Sequence, residues 1–260
     1  AEVTGHGPPL VLVPGGLTGW ISWEPHAKHL SNTRTVVRAQ LLSVQYGLED
    51  RPLPPDYSTK TESRALAETL DELGLTSNLD IAAWSYGALV ALDYALDHQD
   101  RVRTLTLIEP PAFWVLKASG GLDAEAQEVA ETLGSFGGDI SEDDLERFAC
   151  AVGLCRPGQS PRALPQWPVW MRHRRSLRNC SAPLTHADDP ARLRAFQHPV
   201  LLVKGTGSAQ FLHQSIDALA ALLPQGRVIE MPGGHAPHIV SMDRFLEQLT
   251  SFLSLEAKAA

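Results

Sequence analysis

Apolar residues in this chain fall into two patterns. Short unbroken runs, Leu10–Val13, Thr35–Ala39, Leu79–Ala83, Arg101–Ile108, Pro199–Lys204 and Arg227–Met231, have the length and composition of buried strands. Between them lie stretches in which apolar positions recur with helical spacing: Trp20–Leu30, a segment from Ser58 or Thr59 to Leu73, Tyr86–Asp97, Phe211–Leu223 and Arg244–Leu253. Thr59 with Glu62 three residues on reads as a capping box, and Gly74 as the stop of that helix. Pro52, Pro54 and Pro55 mark Leu48–Tyr57 as loop. Buried strands alternating with helices predict right-handed βαβ units, a mainly parallel sheet flanked by helices, and an α/β fold class.

The alternation breaks between Pro110 and His198. That stretch has no strand-like run and has helical patterns near Asp123–Ser135, Ser141–Val152, Pro161–Leu177 and Asp189–Phe196. The expected organisation is a core domain of residues 1–109 and 199–260 with a helical cap, residues 110–198, inserted after a core strand. A cap fits the habit of α/β sheets to bind ligands beyond their strand C-termini.

With 43% hydrophobic and 20% charged residues, the 260-residue chain has the composition of a soluble globular protein. A net charge of −8 argues against nucleic acid or an anionic membrane as partner, and no apolar run reaches the ~20 residues of a membrane helix. Cys150, Cys155 and Cys180 make neither a disulfide framework nor a zinc site. A cytoplasmic location is expected. The chain opens without an initiator Met, so earlier residues are expected before Ala1.

The chemistry concentrates at Leu79–Leu92. An apolar run stops at Ala83-Trp84-Ser85-Tyr86-Gly87, and a helical pattern begins at once. This is a nucleophile elbow, which lifts a serine hydroxyl clear of the sheet and aims the first N–H groups of a helix at the same point. Ser85 needs a base. His235, in the loop Pro232-Gly233-Gly234-His235-Ala236-Pro237 after the last strand run, is the candidate; His238 is the rival, better suited to a helix start. Trp84, Phe113, Trp114, Trp167 and Trp170 are candidates to line an apolar pocket, with core packing as the bland reading. Arg172, Arg174, Arg175 and Arg178 read as a solvated face before they read as an anion site. No phosphate-binding fingerprint, metal or cofactor motif is present.

From Pro8-Pro9-Leu10-Val11-Leu12-Val13-Pro14-Gly15-Gly16 to the closing helix, the chain resembles the α/β-hydrolase fold superfamily in its capped branch. Ser85 matches the family's nucleophile and His235 its base, with Ala83 replacing the first Gly of G-x-S-x-G. The resemblance implies an oxyanion hole formed by the Gly16 and Tyr86 N–H groups. The family's usual acid follows the strand ending here at Lys204, but that loop, Gly205-Thr206-Gly207-Ser208-Ala209-Gln210, has no carboxylate, and Asp217 lies deep in a helix. The family's other acid position matches Glu109, which gives a Ser85–His235–Glu109 triad; an acidless Ser–His dyad is the alternative. The family also places one or two strands before Leu10, without which a sheet edge would stand open.

The reading is a serine hydrolase cleaving a small to medium carboxylic ester, lactone or thioester through an acyl-enzyme. A C–C hydrolase or lyase on the same triad, or a capped small-ligand binding protein, are the alternatives. The expected partner is a small-molecule substrate; its identity and the oligomeric state are not encoded legibly.

Overall fold

A computed structural model describes residues 1–155 and 158–259, with side chains described through Leu255. Seven strands form one sheet: β1 (Glu2–Thr4), β2 (Pro9–Val13), β3 (Thr35–Arg38), β4 (Leu79–Trp84), β5 (Val102–Ile108), β6 (Val200–Gly205) and β7 (Gly226–Met231), in the order β1-β3-β2-β4-β5-β6-β7. All neighbours are parallel except β1, which runs antiparallel to β3 with Val3 opposite Val37. The edge expected to stand open is therefore covered by Glu2–Thr4. Three residues with an exposed burial pattern carry too little periodicity to be read as a strand.

The central strands read as continuous apolar runs because both their faces are covered. β4 is buried along its whole length. One face packs on α3 (Thr59–Glu72), α4 (Tyr86–Asp97) and α11 (Gln210–Leu222); the other packs on α1 (Glu24–Leu30) and α13 (Met242–Ala259). Trp20–Leu30 is not one helix. A 3-10 turn over Gly19–Trp23 precedes α1, whose first turn holds Pro25.

A short helix unforeseen in the sequence, α2 (Leu42–Leu48), follows β3. Its N-terminus is held by Glu62, which accepts from the Leu42 and Ser43 N–H groups at 2.8 and 2.9 Å. Glu62 therefore does not close the capping box on its own helix. Ser58 is the N-cap of α3 and Thr61 the reciprocal partner, one register step from the Thr59–Glu62 pairing read from the spacing.

Between β5 and β6 the described residues are helical: α5 (Phe113–Ser119), α6 (Ala124–Gly134), α7 (Glu142–Ala151), α8 (Trp167–His173), α9 (Ala182–Thr185) and α10 (Pro190–Ala195). The expected Pro161–Leu177 helix is broken into 3-10 turns at Pro161–Ala163 and Arg174–Asn179 on either side of α8. Pro161 and Pro168 each stand in the first turn of their piece, where a missing N–H costs least. No helix among the described residues is long and apolar enough to cross a membrane.

Candidate active site

Ser85 sits between β4 and α4 with φ 56° and ψ −129°, a conformation that costs a non-glycine residue of order 1–3 kcal/mol. Its N–H donates to the Ile108 carbonyl at 2.8 Å, tying the elbow to β5. Two residues on, the chain passes so close to the first loop that a Cβ on Gly87 would lie 2.0 Å from the Pro14 carbonyl oxygen. Ala83, in place of the family's first glycine, is fully buried without disturbing the strand.

The Ser85 hydroxyl lies 2.8 Å from His235 Nε2, and His235 Nδ1 lies 2.9 Å from Glu109 Oε2. Glu109 leaves the end of β5 with φ 48°, so two of the four described non-glycine residues at positive φ belong to this one chain of hydrogen bonds. The Glu109 carboxylate is fully buried. Its other oxygen, Oε1, accepts from the Gly205 N–H at 2.6 Å and from the Ser208 hydroxyl. Ser208, the residue found where the family's usual acid is expected, thus serves as a donor to the acid that arrives from the neighbouring strand. Asp217 is occupied elsewhere, 2.5 Å from Lys204 Nζ.

His235 is 3% exposed, and its backbone is held on both sides. Its N–H donates to the Gly153 carbonyl at 3.2 Å, and its carbonyl accepts the Trp84 indole N–H at 2.7 Å. The rival His238 is fully buried beside Trp84, with ring centroids 4.9 Å apart. Burial pushes its pKa well below the usual imidazole value, with the nearby His26 and His235 rings adding to the effect. It has no hydrogen bond to Ser85.

Tyr86 opens α4, so its N–H has no acceptor within the helix. Gly16 faces it, and a Cβ there would come 3.3 Å from Tyr86 Cβ and 2.8 Å from Asn179 Nδ2. Asn179 donates through that nitrogen to the Gly16 carbonyl at 3.3 Å and to Ser43 Oγ at 3.0 Å. On the other side, the Tyr86 hydroxyl meets that of Tyr57 at 3.1 Å, which in turn donates to Glu62 at 2.6 Å. The residues bearing both candidate oxyanion donors are thus braced by one buried polar network around Glu62. Burial raises the pKa of Glu62, the Tyr57 hydroxyl and the Tyr86 hydroxyl alike. Sequence reasoning missed this network, because Ser43, Glu62 and Asn179 belong to three separated segments.

Gly16, Ser85, Tyr86 and His235 open onto a cavity that is also lined by Leu133, Phe148, Leu177 and Phe211. Asn179 and Cys180 line it too, and burial pushes the Cys180 thiol pKa up. A second space shared by Ser85 and His235 is lined by Trp84 and Trp170. Trp114 and Trp167 do not line either space. Trp114 is packed in the core, 6.0 Å edge-on to His186, and Trp167 is turned to hydrogen-bond Glu142 at 3.2 Å. Phe113 stacks on Phe211 at 5.2 Å, behind the wall. The arginines point away from Ser85. Arg174 holds the Ile140 carbonyl at 2.8 Å, Arg175 meets Asp50 and Asp139, and Arg178 meets the Gly138 carbonyl and Asp50, while Arg172 is exposed.

Among the described residues, no group of His, Cys, Asp and Glu is placed to hold a metal ion. Lipase 1 of Psychrobacter immobilis is 22% identical over 96% of this chain and 78% of its own length. The 2-hydroxymuconate semialdehyde hydrolase of a Pseudomonas species is 26% identical over 99% and 90%. An esterase structure from Exiguobacterium antarcticum, 18% identical, superposes with a TM-score of 0.76 over 97% of this chain and 94% of its own. A model of the alpha/beta hydrolase family matches residues 10–248, and with the sheet order and the elbow on view the chain belongs to that family.

Proposed function

We propose that the protein is a serine hydrolase of carboxylic esters, with Ser85 as nucleophile, His235 as general base and Glu109 as the acid that orients it. The observation that carries this reading is the continuous chain of hydrogen bonds, 2.8 Å from Ser85 to His235 and 2.9 Å from His235 to Glu109. Ser85 Oγ attacks the acyl carbon as His235 Nε2 takes its proton. The Gly16 and Tyr86 N–H groups receive the oxyanion, each such donor contributing roughly 3 kcal/mol to the transition state. Collapse expels the alkoxide, which collects the proton from His235. Water then attacks the acyl-enzyme by the same route and releases the acid and free Ser85.

Glu109 keeps the Nδ1 proton in place and balances the imidazolium. Its second oxygen is engaged by Gly205 and Ser208, which fixes the plane of the carboxylate. Residues 110–198 act as the cap, since Leu133, Phe148 and Leu177 stand over Ser85. The similarity to the lipase sequence supports ester hydrolysis. The similarity to the semialdehyde hydrolase favours a second reading, C–C bond hydrolysis on the same three residues.

The test is hydrolysis of p-nitrophenyl esters and simple lactones by the full chain, with Ser85→Ala in parallel. Turnover abolished in the variant is expected. Equal turnover in both proteins rejects Ser85 as nucleophile.

A further inference from the structure

The space beside Ser85 that is lined by Trp84 and Trp170 has a neighbour. Thr18, Trp84, Leu154 and Trp170 line it and also line a groove that opens at the surface. Three apolar side chains stand at the outer end: Ile21 at 39% exposure, Val169 at 41% and Ile239 at 42%. They come from three elements: the 3-10 turn before α1, α8, and α12 (Pro237–Val240). None of them belongs to the core clusters formed by the described residues, which leaves an apolar rim at the surface.

Among the described residues, no Asp, Glu, Lys or Arg lines the groove or either space at Ser85. A carboxylate or phosphate on a bound molecule would lose its hydration with no partner to replace it. An aliphatic chain meets no such penalty and covers Trp84, Trp170 and the rim together.

We infer that the groove from Ile21, Val169 and Ile239 to Ser85 is the binding channel for a long, uncharged apolar chain of the substrate. The inference rests on the reading of Ser85 as nucleophile and extends the substrate from small and medium esters to long-chain ones. The cavity under Leu133, Phe148 and Phe211 takes the smaller group on the other side of the scissile bond.

Two measurements test this separately from the hydrolase reading. The first is kcat/KM for p-nitrophenyl acetate, butyrate, octanoate and dodecanoate. With added methylenes half buried in an open groove, the rise from butyrate to octanoate is expected to be on the order of ten-fold. The second needs no turnover: methyl hexyl ketone against methyl ethyl ketone, also four methylenes apart, titrated by tryptophan fluorescence, with a similar gain in affinity for the longer chain. Val169→Glu and Ile239→Glu change exposed positions, and circular dichroism and Tm verify that each variant is folded. Both are expected to cut the chain-length gains to about two-fold or less.

Acetate turnover that depends on Ser85, with a flat ester series and equal ketone affinities, overturns the groove and keeps the hydrolase. Chain-dependent ketone binding without turnover of any ester keeps the groove and overturns the hydrolase. Gains that survive both glutamate substitutions also overturn the groove.

Discussion

The floor of the cavity around Ser85 and its roof are held by different forces. The floor is the ends of β4, β5 and β6, buried on both faces, with the elbow, Glu109 and the Gly205 loop cross-linked by backbone hydrogen bonds. The roof is a set of short helices with their own small apolar cluster around Phe136, Leu145 and Trp170. Its outside is tied by polar contacts such as Arg162 to Asp143 and Glu146, and Arg178 to Asp50. Exposed ion pairs of this kind each contribute ~0–1 kcal/mol. The Ser85–His235–Glu109 hydrogen bonds are thus held by structure that is expensive to disturb, and the opposite wall of the cavity by structure that is cheap to change.

The largest break in that contrast is at the floor. Ser85→Ala is expected to lower kcat by about 10⁶-fold with Tm nearly unchanged, because a buried lattice loses only a hydroxyl. Glu109→Gln keeps the volume and the acceptor oxygen but offers an amide to Nδ1, so the tautomer is wrong. A loss of about 10⁴-fold in kcat is expected, and a change below ten-fold would make the site a Ser–His dyad. Both are read from steady-state kinetics on one ester, with thermal melts alongside.

A step down in size is Glu62→Ala. It strips the acceptor from the Leu42 and Ser43 N–H groups and from the Tyr57 hydroxyl. Leaving three donors buried or half-buried should destabilise the fold by ~2–3 kcal/mol, measurable by urea unfolding. An unchanged midpoint would mean that water replaces the carboxylate.

Acid should act on the fold through His26 and His238, which meet where α1 packs against α12. Burial is the main cause that lowers both pKa values. The unfolded chain takes protons at these sites near the ordinary value of 6.5, while the folded chain refuses them. Stability is therefore full above about pH 6.5 and falls as the pH drops below it, by up to ~1.4 kcal/mol per pH unit for each histidine. Melting curves at descending pH read this, and His238→Gln should flatten the slope. The smallest effect belongs to the roof. Arg178→Ala should cost less than ~1 kcal/mol and leave ester turnover within about two-fold.

The sequence legibility followed the same division. Floor elements announce themselves, because a strand buried on both faces is an apolar run and an elbow is an apolar run broken by a serine. Glu109 is singled out by the family resemblance, whose second acid position falls on the residue directly after β5. The roof was read only in outline. Whether an aromatic faces the cavity depends on helix orientation, so Trp84 and Trp170 reach it while Trp114 and Trp167 do not. β1 is too short to show a period, and α2 is capped from twenty residues away by Glu62, a partner no local window contains.

The carboxylate site has two addresses in this fold. Glu109 reaches His235 from β5, and Ser208, just after β6, touches the same carboxylate from the other side. A chain acquiring Ser208→Asp while keeping Glu109 would crowd two like charges against one imidazole, and one would have to stay protonated. The two carboxyl groups and the imidazole would then titrate as one coupled unit, with apparent values that belong to the cluster and not to any single residue.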